Sequence, residues 1–234
     1  MNLHNYFGRV LIIAAHADDE TLGCGGLITK LKSHKIDCHI HVVTGYGSSH
    51  HPLFEKGQID QIRNEFVKAI SHLGSPEYSF GELPAAMVNE VPMYIINKKI
   101  KEVIEINRPN TILMPSQNDL HLDHKIINYA VKVAARPYLK INKNLDKLIE
   151  YEVPSETNIY VDQVSEVFNP NFFININSEI DSKLEAFSEY KSQLQLDFQP
   201  RTLEVLKSLA IYRGSNIGVR FAEAYKILIN KVPD

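Results

Sequence analysis

Short, uninterrupted apolar runs alternate along this chain with stretches in which apolar residues recur every three to four positions. The runs at 9–15, 36–44 and 111–115 are typical of strands buried on both faces of a parallel sheet. The stripe at 62–73 is typical of a helix that packs by one face. This alternation predicts an α/β fold, a Rossmann-like doubly wound and mainly parallel sheet with helices on both faces.

Further elements follow the same pattern. Ser178 followed by Asp181 resembles a capping box and predicts a helix that runs to Leu194. We also expect helices at 96–104, from Leu120 to just before Pro137, and around 203–210, and strands at 148–153 and 172–176.

Length and composition exclude several classes of protein. With 234 residues, of which 44% are hydrophobic, the chain is expected to form one domain over 1–234 whose core needs no metal. A bound metal would therefore serve chemistry. A net charge of −3 without a block of like charges argues against nucleic acid as a partner. No apolar run approaches the roughly 18 residues of a membrane span, and 1–8 lacks the apolar stretch of a signal peptide, so we expect a cytoplasmic protein.

Two polar clusters follow predicted strands at the edge where such sheets bind ligands. The cluster at 16–20 combines His16 with three acids, and the cluster at 118–124 adds two histidines and two acids. Either cluster alone is also explained as helix-start chemistry, because acids complement the helix dipole and cap free amides. Since the topology brings both to one edge, together they favour a metal site.

His16, Asp19 and His124 offer two nitrogens and one carboxylate. This is the ligand type of catalytic zinc, which keeps its fourth position for water. A structural zinc site would more often use cysteines, and neither Cys24 nor Cys38 lies in a ligand-like pair.

The two clusters also resemble the motifs of the PIG-L/LmbE family of zinc-dependent de-N-acetylases. That family carries His-Pro-Asp-Asp-Glu after its first strand and His-x-Asp-His later. The present sequence has these motifs at 16–20 and 121–124, with Ala17 in place of the proline. The resemblance extends over nearly the whole chain. It implies that His16, Asp19 and His124 hold the zinc ion, that Asp18 is the general base, and that Arg63 contacts hydroxyls or an anionic group of the substrate.

The remaining roles follow from the chemistry of amide hydrolysis. We expect His121, as an imidazolium, to stabilise the tetrahedral oxyanion, and either Asp18 or His121 to protonate the leaving amine. Asp123 either orients His121 or His124 or caps the following helix. Arg63 has the alternative of being a solvated charge on its helix. Some relatives have a tyrosine at the position of Asp119.

These observations favour a zinc hydrolase that removes the acetyl group from an N-acetylated amino sugar, whether free, glycosidic or nucleotide-linked. Its partner would be this small molecule, and the resemblance suggests a homo-oligomer and a role in glycan biosynthesis. Two alternatives stay open. A metal-dependent phosphoesterase would prefer ligation dominated by oxygen, and a non-catalytic module that binds sugar or metal would have no need of Asp18.

Overall fold

The structure is a computed structural model that describes residues 3–45, 51–160 and 167–231. Its strands are β1 Val10–Ala14, β2 Cys38–Thr44, β3 Glu77–Leu83, β4 Thr111–Pro115, β5 Lys147–Tyr151, β6 Phe172–Asn175 and β7 Ala222–Asn230. Its α-helices are α1 Leu3–Phe7, α2 Asp19–Ser33, α3 Gln58–His72, α4 Met93–Asn107, α5 Leu122–Ala134, α6 Ile180–Ser188 and α7 Leu203–Ser215.

The strands form one sheet in the order β3-β2-β1-β4-β5-β7-β6. The first five are parallel, and β7 runs antiparallel to both of its neighbours. The chain leaves β1 toward β2 on one side and later reaches β4 on the other. The switch point of the topology therefore lies between β1 and β4, where doubly wound sheets bind their ligands. The predicted fold class is confirmed.

Each face of the sheet carries a hydrophobic core. The first core packs α2, α3, α6 and α7 onto one face, with Leu27, Phe66 and Phe187 among its buried side chains. The second packs α4 and α5 onto the other, through residues such as Ile100 and Val131. Strands β1 and β4 are buried along their whole length because helices cover both faces.

Several local features differ from the sequence expectations. Strands β3 and β7 and the short helix α1 were not predicted. The helix expected from Ser178 to Leu194 spans only Ile180–Ser188, and the residue that precedes it, Glu179, makes no side-chain cap. None of the described helices combines the length and hydrophobicity that crossing a bilayer requires.

Candidate metal and catalytic site

Two polar loops meet at the switch point between β1 and β4. The first leads from β1 into α2, so that His16 lies in the loop and Asp19 is the first residue of the helix. The second follows β4, where His121 caps the N-terminus of α5 and His124 lies in its first turn. The fold therefore brings His16 and His124, 108 positions apart, to a ring-centroid distance of 5.2 Å.

Three potential ligand atoms form a nearly equilateral triangle. Nε2 of His124 lies 3.3 Å from Nδ1 of His16 and 3.3 Å from Oδ2 of Asp19. The third side, from Nδ1 of His16 to Oδ2 of Asp19, is 3.6 Å. In a tetrahedral zinc site with bonds of about 2.0 to 2.1 Å, neighbouring ligand atoms lie about 3.3 to 3.4 Å apart. These residues therefore fit a small divalent cation.

Each of these two histidines has its other ring nitrogen against a buried carboxylate. Nε2 of His16 lies 3.0 Å from Oδ2 of Asp123, and Nδ1 of His124 lies 2.7 Å from Oδ2 of Asp119. Because a carboxylate accepts, these nitrogens hold the remaining proton when each ring is neutral, and the neutral rings then offer the lone pairs of Nδ1 of His16 and Nε2 of His124 to a metal ion. Those are the two nitrogens of the triangle. Carboxylates orient metal-ligating histidines in the same way.

The charges around the triangle attract a cation. Burial acts to lower the pKa of His16, but hydrogen bonds to Asp123 and Asp19 raise it to about 9. Burial also opposes protonation of His124, yet the charge of Asp19 and the hydrogen bond to Asp119 raise its pKa well above the ordinary value. Burial acts to raise the pKa of Asp19, and the two histidines hold it well below its ordinary value.

His121 is the third imidazole of the cluster, and its hydrogen bonding separates two ligand sets. One nitrogen from each of His16, His121 and His124 lies within 4.8 Å of the others, so these three rings form an alternative cluster. Nδ1 of His121, however, accepts the backbone N–H of Asp123 at 3.2 Å, so the neutral ring carries its proton on Nε2. A protonated nitrogen has no lone pair for a metal. This arrangement favours Asp19 as the third ligand.

The charge state of His121 differs from the imidazolium that we expected. Burial of the ring, together with the nearby rings of His16 and His124, lowers the pKa of His121 to about 4. The ring is therefore neutral near pH 7. Its contribution to the site is a neutral N–H donor at Nε2.

Asp18 occupies a buried and strained position beside the triangle. Its φ of 140° lies in a region that residues other than glycine rarely adopt. Within the described ranges, Oδ2 of Asp18 is buried without a hydrogen-bond partner. Burial, opposed by the charge of Arg201, raises the pKa of Asp18 to about 7. A carboxyl group with this pKa can gain and lose a proton near neutrality.

The side chain of Glu20, the third acid of the motif at 16–20, fixes the backbone of Asp18. Oε2 of Glu20 accepts the N–H of Asp18 at 3.0 Å, and Oε1 of Glu20 accepts the hydroxyl of Tyr190 at 2.5 Å. Glu20 is fully buried. Glu20 thus stabilises the strained backbone conformation of Asp18.

Asp123 has a different partner from those that we predicted. Its Oδ2 contacts His16, whereas His121 or His124 was expected, and it accepts the backbone N–H of Ala86 at 2.6 Å. Helix α5 is capped by the side chain of His121 and not by Asp123. Sequence spacing could not identify His16 as the partner, because the two residues are 107 positions apart.

A cleft of about 160 Å³ opens beside the cluster, and His16, Asp18 and His121 reach its surface. The guanidinium of Arg63 lies in the wall of this cleft, 4.9 Å above the ring centroid of Phe80, with Nη2 3.1 Å from Oε1 of Glu82. Other parts of the wall are apolar, with Phe54, Ile59 and Ile62. Arg63 is therefore part of the cleft and not only a solvated charge on α3.

The family model of PIG-L, the GlcNAc-PI de-N-acetylases, matches residues 11–135, which is more than half of the chain. The chain belongs to the PIG-L family. The diacetylchitobiose deacetylase of Thermococcus kodakarensis is 25% identical to this chain over 235 residues, a match that covers 94% of this chain and 83% of the relative.

Solved structures resemble this PIG-L family member along its length. The conserved protein TT1542 from Thermus thermophilus matches with a TM-score of 0.76 and 23% identity, over 96% of each chain. The N,N'-diacetylchitobiose deacetylase from Pyrococcus horikoshii, complexed with an inhibitor, matches with a TM-score of 0.76 and 20% identity, over 98% of this chain and 86% of that one. At these identities the likeness shows the fold.

Three functional contacts of this PIG-L family member were missed from sequence. Asp119 was noted only as a substitution for tyrosine, although an acid five positions before His124 was a signal that it could orient that ring. No role was predicted for Glu20 from the sequence. Arg201 was not connected with Asp18, because 183 positions separate the two residues in the chain and no local pattern links them.

Proposed function

We propose that this PIG-L family protein is a zinc-dependent amide hydrolase that removes the acetyl group from an N-acetylated amino sugar. The observation that carries the proposal is the ligand triangle of His16, Asp19 and His124 beside Oδ2 of Asp18, which is buried and, among the described residues, has no hydrogen-bond partner. Family membership and the name of the Thermococcus relative support the same reaction. A site that only binds a metal or a sugar has no need of a second, non-ligating carboxylate.

The proposed metal ligands are Nδ1 of His16, Oδ2 of Asp19 and Nε2 of His124. When bound there, zinc supplies Lewis acidity that makes water acidic near neutral pH and polarises an amide carbonyl.

Asp18 takes one proton from the water that attacks the acetyl carbon, while the new carbon–oxygen bond forms. The tetrahedral intermediate then collapses, the carbon–nitrogen bond breaks, and Asp18 returns the proton to the leaving amine. The products are acetate and the free amino sugar. A carboxyl group with a pKa of about 7 suits both transfers.

His121 donates its Nε2–H to the oxygen that becomes negative in the tetrahedral intermediate. The tautomer that this role needs is the one fixed by the backbone N–H of Asp123. Because the ring is neutral, it stabilises charge by a preoriented hydrogen bond, as other oxyanion-binding groups do. This assignment makes Asp18, rather than His121, the proton donor to the amine.

The cleft offers chemistry that matches an acetylated sugar. Apolar side chains such as Phe54 and Ile62 provide contacts for the acetyl methyl group and the sugar ring. Arg63 provides hydrogen-bond donors for sugar hydroxyls or an attached anionic group. Gly45 leaves room for this guanidinium, since a Cβ at that position would lie 2.6 Å from Nη2 of Arg63.

The test is an acetate-release assay of zinc-loaded protein against N-acetyl sugars in free, disaccharide, lipid-linked and nucleotide-linked form. We expect acetate and free amine in equal amounts from at least one class. Asp18→Asn should lower the rate about 10²- to 10⁴-fold while the protein retains its zinc. Absence of acetate from every class at full zinc occupancy would contradict the proposal. Hydrolysis of a phosphodiester instead would favour the phosphoesterase, and binding of a sugar without turnover would favour the non-catalytic module.

A further inference from the structure

The connection between α6 and α7, residues 189–202, reaches the site from outside the part of the chain that the PIG-L model matches. Near its start, Tyr190 is fully buried and donates its hydroxyl to Glu20. Ser192 donates from both its hydroxyl and its backbone N–H to Glu65 on α3. Near its end, Arg201 reaches the surface of the cleft. The connection is thus attached to the site at both ends.

Arg201 forms an ion pair with Asp18. Its Nη1 lies 3.5 Å from Oδ2 of Asp18, and the Arg201 side chain is only 23% exposed. The guanidinium is held in place by other neighbours: Nε donates to Oγ of Ser155 at 3.1 Å, and Nη1 donates to Oε1 of Gln193 at 3.1 Å. Nη2 lies 3.5 Å from a carboxylate oxygen of Glu156. Its orientation toward Asp18 is therefore determined by its surroundings.

The contact supplies charge to Asp18 without forming a hydrogen bond to it. Within the described ranges, Oδ2 of Asp18 has no hydrogen-bond partner, although the cation lies close to it. The positive charge offsets the repulsion among the consecutive carboxylates of Asp18, Asp19 and Glu20. At the same time the lone pairs of Oδ2 stay available for a proton. A tighter, bidentate contact would occupy them.

We propose that Arg201 is a positioning residue that holds the Asp18 carboxylate in its reactive orientation. The inference rests on the proposed function, in which Asp18 transfers the proton. Tyr190, on the same connection, supports the backbone of Asp18 through Glu20. One segment of the chain therefore fixes both the backbone and the side chain of a residue whose φ of 140° is unfavourable.

The experiment compares Arg201→Gln and Arg201→Lys with the matched control Arg213→Gln. Arg213 also pairs with a largely buried carboxylate, that of Glu152, through Nε at 2.8 Å, but it does not line the cleft. The readouts are kcat and KM for acetate release, zinc content, melting temperature, and the position of the Asp18 carboxylate in crystal structures of each variant.

We expect Arg201→Gln to lower kcat about 10- to 100-fold, since small displacements of a reacting group have effects of this size. Zinc content should stay within about threefold of wild type, because Arg201 is not a metal ligand. KM should also stay within about threefold, because the proposed role concerns the reaction step and not the binding of substrate. Arg201→Lys should recover part of the loss because it retains the charge. Arg213→Gln should lower the melting temperature about as much as Arg201→Gln does, because each change removes a largely buried ion pair, but it should leave kcat unchanged.

Wild-type kcat in Arg201→Gln would overturn the proposal, and so would an equal loss of kcat in Arg213→Gln. If Arg201→Gln does not fold, Arg201→Lys decides, and a kcat equal to wild type overturns the proposal. If the wild-type protein releases no acetate, the proposed function fails. The crystal structures then still test Arg201: a displaced Asp18 carboxylate in Arg201→Gln, but not in Arg213→Gln, supports the positioning role, and an unmoved one overturns it.

Discussion

Single protons determine what each imidazole of the cluster can do. His16 and His124 each donate to a buried carboxylate, so that in their neutral form the lone pair lies on the nitrogen that faces the other ligand atoms. His121 accepts from a backbone N–H and so keeps its proton on the opposite nitrogen. The same side chain type therefore serves as ligand in two positions and as hydrogen-bond donor in the third, and hydrogen-bonding partners make the difference.

Asp119→Asn is expected to weaken zinc binding about 10- to 100-fold. The amide can still accept from Nδ1 of His124, but it removes the negative charge that makes the imidazole a stronger ligand. Competition with a chromophoric chelator measures the affinity.

Asp37→Asn is the control for this change, because its exposed carboxylate pairs with Arg9 away from the site. It should leave zinc affinity unchanged. Equal affinity of Asp119→Asn and wild type would show that Asp119 does not contribute to metal binding.

The residue types of the two motifs were sufficient to single out the three side chains whose nitrogen and oxygen atoms the structure brings within 3.6 Å of one another. The hydrogen-bond partners of these histidines were harder to predict from the sequence. Asp123, in the first turn of α5, pairs with His16 in the loop after β1, and this contact depends on how β1 and β4 lie side by side in the sheet rather than on any spacing within a motif.

At the level of elements, helix α2 lies unusually close to the sheet and to Ile176, the residue that follows β6. A Cβ at Gly23 would lie 2.2 Å from Cδ2 of Tyr151 on β5, and one at Gly26 would lie 2.6 Å from Cγ2 of Ile176. Tyr151 is itself fixed by its hydroxyl, which donates to the carbonyl of Ile13 at 2.9 Å. This close approach sets the position of the helix N-terminus, where Asp19 lies.

Gly23→Ala is expected to lower the free energy of unfolding by about 1–3 kcal/mol, since the added methyl group overpacks a buried contact. Urea denaturation measures the change. Ser33→Ala, at the C-terminal end of the same helix, is the control and should change stability by no more than about 0.5 kcal/mol. An unchanged stability in Gly23→Ala would show that α2 can shift away from Tyr151 without cost.

Elements with regular apolar patterns were predictable, and elements determined by tertiary contacts were not. Strand β3 is an edge strand with several exposed residues, so it lacks the apolar run that marks β1 and β4. Helix α6 ends at Ser188, before the predicted Leu194. Beyond that point Tyr190 and Ser192 make contacts with Glu20 and Glu65, and these contacts outweigh local helix propensity.

For the whole molecule, the topology explains how distant segments build one site. The part of the chain that matches the PIG-L model, 11–135, spans β1 through α5 and contains both motifs. The remainder adds β5, β6 and β7 to the sheet and supplies Tyr190 and Arg201 around Asp18.

Stability of the whole protein is expected to fall in mild acid because of His41 on β2. Burial, with the charges of His39 on the same strand and Lys99 on α4, lowers the pKa of His41 from 6.5 to about 4. Ser79 on β3 is its hydrogen-bond partner. Above pH 6.5 neither state binds the proton, and below pH 4 both do. Between these values only the unfolded chain is protonated, so the free energy of unfolding falls by up to about 3 kcal/mol.

Urea denaturation at pH 7 and pH 4.5 tests this expectation in His41→Gln, which should lose part of the pH dependence. His34→Gln, which changes an exposed histidine, should retain all of it. The same pH dependence in wild type and His41→Gln would exclude His41 as its source.

Anomalous diffraction at the zinc edge, from crystals of the zinc-loaded protein, tests the central claim most directly. We expect one ion within about 2.0 to 2.2 Å of Nδ1 of His16, Oδ2 of Asp19 and Nε2 of His124, with Nε2 of His121 outside bonding distance. An ion ligated by His121 in place of Asp19, or an anomalous peak away from this triangle, would contradict the account.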